Sequence, residues 1–235
     1  MPGKLYLIPT PLGKAPNARI FPELNAKIIQ TLEYFVVENL RSARRFLRST
    51  GYTRDFDEVQ LFELDKHKPN SLIDQFIEPL LNNQDMGLLS EAGVPGVADP
   101  GSEIVRLAHQ NNIKVVPLIG PSSLLLALMA SGLNGQQFAF LGYLPIKSQQ
   151  RKKAIQSLEK RSRIENQSQL FIETPYRNMS LLNEILNTCQ SGTLLCIAAD
   201  ITLESEFIQT KTIKEWKVKV PDIHKKPAIF ILLGQ

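Results

Sequence analysis

The twelve residues Ser90–Gly101, SEAGVPGVADPG, hold Gly93, Gly96 and Gly101 with Pro95 and Pro100, directly after the apolar run Met86–Leu89. Glycine and proline at this density let main-chain N–H and C=O groups approach a ligand closely. A tight crossover would use the same residues, so the loop alone fits either purpose. PTPLG (Pro9–Gly13) follows another apolar run, and IGPSS (Ile119–Ser123) leads into an apolar helical stretch that Ser122 or Ser123 could cap. PTPLG is not GxGxxG, and GxxxxGK[ST] occurs nowhere, so those two nucleotide fingerprints are absent. Three such turns opening from strand ends suit one pocket made largely of main chain. It would take a zwitterionic, hydrogen-bonding ligand more readily than a metal.

Charged candidates lie nearby in the sequence. Glu38 and Arg41 sit three apart beside a strand end. Arg41 could clamp a phosphate or carboxylate and Glu38 could accept a proton, or the two could form an ordinary surface ion pair. Glu173 is either a pocket wall or a base. Arg41, Arg44, Arg45 and Arg48 fall within RSARRFLR, and Lys147–Arg163 carries Lys147, Arg151, Lys152, Lys153, Lys160, Arg161 and Arg163 against Glu159. Two such clusters could hold RNA phosphates in a salt-dependent way, or form solvated helix faces. No RRM, KH or zinc-knuckle signature accompanies them, and Tyr52, Tyr143, Tyr176 and Trp216 are too scattered for a stacking platform. His67, His109 and His224 have no ligand spacing and read as surface residues.

Short apolar runs alternate with segments of helical period, the pattern of an α/β protein with a largely parallel sheet. Strands are expected at Leu5–Ile8, Tyr34–Val37, Phe62–Leu64, Met86–Leu89, Lys114–Leu118, Phe138–Gly142, Leu170–Glu173, Leu194–Ala199, Glu206–Gln209 and Ala228–Leu233. Helices are expected at Pro22–Leu32, Ser42–Ser49, Ser71–Leu81, Gly101–Asn111, Ser122–Ser131, Gln149–Lys160 and Ser180–Asn187. A boundary near Pro117 gives two α/β domains, 1–116 and 117–235.

The chain has 235 residues, of which 43% are hydrophobic and 21% charged, which suits a packed globular protein and excludes wholesale disorder. Lys+Arg 27 against Asp+Glu 23 leaves +4, compatible with an anionic partner without requiring one. Cys189 and Cys196 form no CxxC or Cys/His cluster, which argues against a disulfide scaffold and a zinc site. No secretory signal is apparent. The longest uncharged stretch, Val115–Ile146, is too broken by glycine and proline to be a membrane helix. A cytoplasmic location is expected.

Four segments, in their order and spacing, resemble the tetrapyrrole methylase superfamily: Leu5–Gly13 (LYLIPTPLG), Leu88–Gly101 (LLSEAGVPGVADPG), Pro117–Ser123 (PLIGPSS) and Phe140–Lys147 (FLGYLPIK). More narrowly they are similar to its branch of ribosomal small-subunit RNA 2′-O-methyltransferases acting on cytidine. Phe171–Arg177 (FIETPYR) and Ala198–Glu204 (AADITLE) look like later motifs of that branch. The resemblance spans essentially the whole chain.

It implies two α/β domains with S-adenosylmethionine in the cleft between them, no metal, and a homodimer. By position, Pro11, Leu12 and Gly13 would form the first wall, and Gly93, Val94, Val97 and Ala98 would contact the donor's amino-acid part and ribose. Ser122 and Ser123 stand where the family has small residues, while Glu173, Ala199, Pro227 and Ala228 match positions lining the adenine side. The branch usually carries Glu-Asp-Thr-Arg after the second strand, and here Glu38-Asn39-Leu40-Arg41 keeps only the ends. Glu91 replaces a common aspartate, Val94 a common threonine, and the chain stops at Gln235 without the extension of longer members. These changes bear on the acceptor more than on the donor. A small-molecule methyltransferase, of a tetrapyrrole for example, is the alternative, although Ala92–Pro95 (AGVP) departs from the Gly-Gly-Asp-Pro usual there. A donor-binding module without catalysis is a third.

Overall fold

The computed structural model describes residues 2–14, 21–64 and 73–235. The chain divides into two units, Met1–Ser122 and Ser123–Gln235.

In the first unit β1 (Lys4–Ile8), β2 (Tyr34–Val37), β3 (Gln60–Glu63), β4 (Met86–Leu89) and β5 (Lys114–Pro117) alternate with helices. These are α1 (Glu23–Thr31), α2 (Leu40–Ser49), α3 (Ile73–Phe76), α4 (Glu78–Leu81) and α5 (Ser102–Gln110). The strand order is β3-β2-β4-β1-β5 and every pair is parallel. Successive side chains on a strand point to opposite faces, and here both faces are covered. Ile8, Phe35, Val37 and Leu89 pack with Ile29 of α1 and Phe46 and Leu47 of α2. Leu5, Val36 and Leu88 pack with Leu80 of α4 and Ile104 and Ala108 of α5. That two-sided burial is why these strands read as unbroken apolar runs.

The second unit holds α6 (Ser123–Ser131), β6 (Phe138–Tyr143), α7 (Ser148–Glu165), β7 (Ser168–Ile172), α8 (Asn178–Thr188), β8 (Leu194–Ala199), β9 (Phe207–Thr212), α9 (Ile213–Val218) and β10 (Ala228–Leu233). Its order is β6-β7-β10-β8-β9. Only β6 and β7 run parallel; β10 is antiparallel to both its neighbours, and β8 to β9. The expectation of a largely parallel sheet therefore holds for the first unit and is corrected for the second. Phe171 and Phe230 stack at 5.8 Å in its core, beside Leu182 and Ile185 of α8 and Trp216 of α9. The Trp216 indole N–H is satisfied by the Leu195 carbonyl at 2.8 Å.

Three local expectations also change. Of the stretch 71–81, Ser71 and Leu72 lie outside the described residues, and the remainder is two short helices, α3 and α4. Pro79 enters α4 near its start and has no N–H with which to continue a helix from α3. The basic helix is longer than expected, ending where Asn166 turns left-handed at φ 47°. Helix α9 has no counterpart among the expected helices, although Thr212 and Glu215 make a complete capping box there. His109 and His224 are exposed as expected; His67 lies outside the described residues. Cys189 and Cys196 are both free and buried.

Candidate functional site

Parallel pairing puts the carboxyl ends of β4, β1 and β5 side by side, so the turns that follow them meet. Thr10 and Gly93 exchange backbone hydrogen bonds, with Thr10 N–H donating to the Gly93 carbonyl at 2.8 Å and Gly93 N–H donating to the Thr10 carbonyl at 3.0 Å. The buried Ser90 hydroxyl adds a bond to the same Gly93 carbonyl at 2.8 Å. Gly93 has φ 85°, and a Cβ there would lie 3.3 Å from Leu12 Cδ2 and 3.6 Å from the Pro121 carbonyl. At Gly120 a Cβ would come within 2.4 Å of Pro9 Cβ. The three turns legible in the sequence are thus locked together by main-chain contact, and the glycines are what allow it.

Around this knot Pro11, Leu12 and Gly13 are half-buried, Val94 is half-buried, and Val97 and Ala98 are exposed. Ala98 holds φ 65° without being glycine, a conformation that costs about 1–2 kcal/mol and that surrounding contacts must sustain. Ser122 closes the first unit and Ser123 begins α6 in the second.

A cavity of about 400 Å³ opens beside the knot. Its wall is formed by Thr10–Lys14, by Ser42, Arg45 and Phe46 on one face of α2, and by Leu89–Ala92. Asn39 starts α2 as its N-cap, accepting from the Ser42 N–H at 3.0 Å, and the Ser42 hydroxyl reaches across to Glu91 Oε1 at 2.9 Å. The change from aspartate to asparagine at position 39 therefore keeps a residue that caps equally well. Among the described residues the wall includes neither Glu38, which is half-buried, nor Arg41, which is exposed.

The arginine-rich helix is not one patch. Arg48 donates to the Tyr52 carbonyl at 2.6 Å and the Arg54 carbonyl at 2.9 Å. Both Arg44 and Arg48 lie over the Phe56 ring, at 5.5 and 4.3 Å. Arg45 points the other way, into the cavity wall. The second basic stretch is likewise divided. Arg151 is buried in an ion pair with Glu184, Arg161 pairs with Glu165 at 3.0 Å, and Arg163 bonds to Gln190 at 3.2 Å. Glu159 is buried too, accepting from the Gln190 N–H at 2.7 Å and the Thr193 hydroxyl at 2.5 Å. Lys147, Lys152, Lys153 and Lys160 remain exposed. A ladder of seven available cations is thereby corrected to a smaller set.

In the second unit, register gathers the other candidates. Ala228 pairs with Ala199, and Ile229 pairs with Ile172, which places Glu173 and Pro227 at the same sheet end. The Glu173 side chain is 1% exposed. Its Oε1 accepts from Thr174 N–H and Arg177 Nη2 at 2.7 Å and from Arg177 Nε at 3.0 Å, while buried Oε2 meets no partner among the described residues. Asn178, at the start of α8, donates to the Lys226 carbonyl at 2.5 Å, and its buried Oδ1 meets no partner among the described residues. Asp200 N–H bonds to the Pro227 carbonyl at 3.0 Å, and Asp200 Oδ2 accepts from Ser205 at 2.8 Å and pairs with Lys226 at 3.5 Å. Two unfilled buried acceptors at one sheet end are unfavourable unless a hydrogen-bond donor meets them, as an amino group on a ligand would. Arg177, Asn178 and Asp200 were not singled out from sequence. The spacing of Glu173 and Arg177, i and i+4, was the available signal for the first. The other two depend on register.

Among the described residues no group of three His, Cys, Asp or Glu could hold a metal ion, and no helix is long and apolar enough to cross a membrane.

No family model matches this sequence. The chain is 29% identical over 235 residues to the ribosomal RNA small subunit methyltransferase I of Escherichia coli O157:H7, covering 99% of this chain and 78% of that protein. It is also 29% identical over 232 residues to the protein of the same name from Vibrio cholerae serotype O1, covering 97% and 76%. Among solved structures, the methyltransferase CobJ superposes with a TM-score of 0.61 at 14% identity, covering 99% of this chain and 94% of that one. The cobalt precorrin-4 methyltransferase CbiF gives 0.60 at 12%, covering 98% and 94%. These two likenesses establish the fold.

Proposed function

From a chain with the tetrapyrrole methylase fold, similar along nearly its whole length to ribosomal small-subunit RNA methyltransferases, we propose an S-adenosylmethionine-dependent methyltransferase acting on ribosomal RNA, with a cytidine 2′-hydroxyl as acceptor. The observation that carries this reading is the 29% identity over 99% of the chain.

When bound, S-adenosylmethionine supplies a methyl carbon made electrophilic by its sulfonium. The chain must then provide alignment, exclusion of water, and a place for the acceptor's proton. Pro11, Leu12 and Gly13 are the first wall of the site, and Gly93, Val94, Val97 and Ala98 are the first-unit residues for the donor's amino-acid part and ribose. The absence of a side chain at Gly93, where a Cβ would crowd Leu12, fits such a main-chain cradle. Ser122 and Ser123 are assigned to the donor by position alone. Glu173, Ala199, Pro227 and Ala228 are the adenine-side residues of the second unit, and the unfilled acceptors Glu173 Oε2 and Asn178 Oδ1 suit an exocyclic amine. Glu38 is the acceptor-side base and Arg41 the clamp on an acceptor phosphate.

Transfer of label from S-[methyl-³H]adenosylmethionine to unmodified small-subunit RNA or particles, recovered as 2′-O-methylcytidine, is the direct test. Label appearing only in a tetrapyrrole would favour the small-molecule alternative. Donor binding with no transfer to either would favour the binding module, which the altered Glu38–Arg41 motif supports. Glu38→Gln and Arg41→Ala should bind donor normally and lose transfer. The reading also carries a cytoplasmic site of action and a homodimer. Sedimentation of the purified chain at twice its 26.4 kDa mass is the check on the dimer.

A further inference from the structure

We propose that the cavity in the first unit receives one cytidine nucleotide of the acceptor strand, its phosphate on Arg45 and Lys14 and its base amine on Glu91. The proposal rests on the RNA reading above and adds the residues and the groups they recognise. About 400 Å³ is within the range of small-ligand pockets and is enough for a nucleotide.

The wall is chemically sorted. Half-buried Leu12 supplies apolar surface against which a flat base can lie, and buried Phe46 and Leu89 back that part of the wall. Arg45 and Lys14 are exposed cations in the same wall, and among the described residues neither forms an ion pair. Arg44 and Arg48, the neighbouring arginines committed to Phe56, show that the helix does not leave every guanidinium available. Arg45 is therefore a cation with no structural task beside a cavity that an anion can enter, and a phosphate satisfies its planar fork of donors.

Glu91 lies on another part of the wall and is held by the Ser42 hydroxyl through Oε1. That bond fixes the carboxylate and leaves Oε2 to accept. Of the two pyrimidines, only cytosine presents an exocyclic amine, and a carboxylate accepts from that N4 group. At the uracil O4 position the carboxylate would instead face an acceptor. Cationic and acidic groups in one wall thus match a nucleotide that is anionic at its phosphate and a donor at its base.

The test uses two fluorescein-labelled RNA oligonucleotides, identical except that cytidines in one are uridines in the other, with anisotropy followed against salt. Calorimetry with S-adenosylhomocysteine runs in parallel. The parent should prefer the cytidine RNA. Arg45→Ala should weaken binding of both RNAs about tenfold and make the salt slope shallower by about 0.7. Glu91→Gln should abolish the preference for cytidine, and both variants should bind S-adenosylhomocysteine as the parent does. Arg44→Ala, whose charge lies over Phe56, should leave the RNA slope nearly unchanged.

If Arg45→Ala binds RNA with the parent's affinity and slope, the phosphate assignment is wrong while the RNA reading stands. A parent that does not discriminate, or a Glu91→Gln variant that still does, overturns the base assignment. Loss of S-adenosylhomocysteine affinity without loss of RNA affinity would instead give the cavity to the donor's carboxylate. A parent that binds neither RNA brings down both this proposal and the RNA reading. Arg45 and Glu91 are exposed, so unchanged melting temperatures verify that the variants are folded.

Discussion

Gly93 meets two demands that no other residue type meets together. Its φ of 85° is left-handed, and its Cα faces Leu12 so closely that a Cβ would sit 3.3 Å from Leu12 Cδ2. Gly93→Ala should destabilise the first unit by about 1–2 kcal/mol through the backbone alone. It should also weaken S-adenosylhomocysteine binding as Leu12 is displaced; unchanged calorimetry would remove Gly93 from the donor site. The buried thiols give a second residue-scale expectation. Burial pushes the Cys189 thiol up, helped by the charge and hydrogen bond of Glu159. Burial also raises Cys196, against a smaller opposing bond from Thr210. A thiol whose folded value lies above its ordinary 9.0 stays protonated in the fold after the unfolded chain has ionised. Stability from these two groups is complete below pH 9.0 and declines as pH rises beyond it. Urea midpoints measured from about pH 8 to about pH 10.5 should fall, and a thiol reagent at about pH 8 should react only after denaturation. Fast reaction of the native protein would contradict the burial argument.

Element boundaries show what local patterning can and cannot carry. Asn39 caps α2 from a position where the sequence offers a small polar residue before a helical run, so Asn39→Ala should lower stability by about 1 kcal/mol in urea unfolding. No change would mean that the Ser42–Glu91 contact, rather than the cap, fixes that helix end. The first unit was legible because its strands are short apolar runs covered on both faces, each feeding a helix. In the second unit LLCIAA (β8) and AIFILL (β10) are also continuous apolar runs, with every β10 residue except Leu233 buried. Burial on both faces erases the alternation that distinguishes an antiparallel strand, so strand direction was unreadable. Arg151 and Glu159 were unreadable for a related reason. They occupy the buried face of α7, and their partners Glu184 and Thr193 come from elements more than thirty residues away. By contrast the Thr212-x-x-Glu215 capping box that starts α9 is local and visible in the sequence itself. The turns at Pro9–Gly13, Ser90–Gly101 and Ile119–Ser123 were visible because close main-chain packing demands glycine and proline in the sequence itself. The unfilled acceptors at Glu173 and Asn178 were not, because sequence does not record whether a buried polar atom finds a partner.

For the whole molecule the question is whether these parts serve one ligand. A net charge of +4 spread over 235 residues is too small to force nucleic-acid binding by itself. Affinity for RNA must then come from particular cations, and the structure removes several from contention by tying Arg48, Arg151 and Arg161 to internal partners. Donor binding is testable without RNA. A ligand that binds only the folded chain stabilises it by about 2.7 kcal/mol at one hundred times its dissociation constant. For a chain of this length that corresponds to a rise of about 5–10 °C in melting temperature. S-adenosylhomocysteine should give such a shift, saturating with concentration, whereas adenosine, which lacks the amino-acid part, should give much less. The comparison matters because the Gly93 cradle is assigned to the amino-acid part and ribose, and Glu173 and Asn178 to the adenine. Equal shifts from both compounds would leave the cradle without its ligand, and no shift from either would leave the fold without its donor.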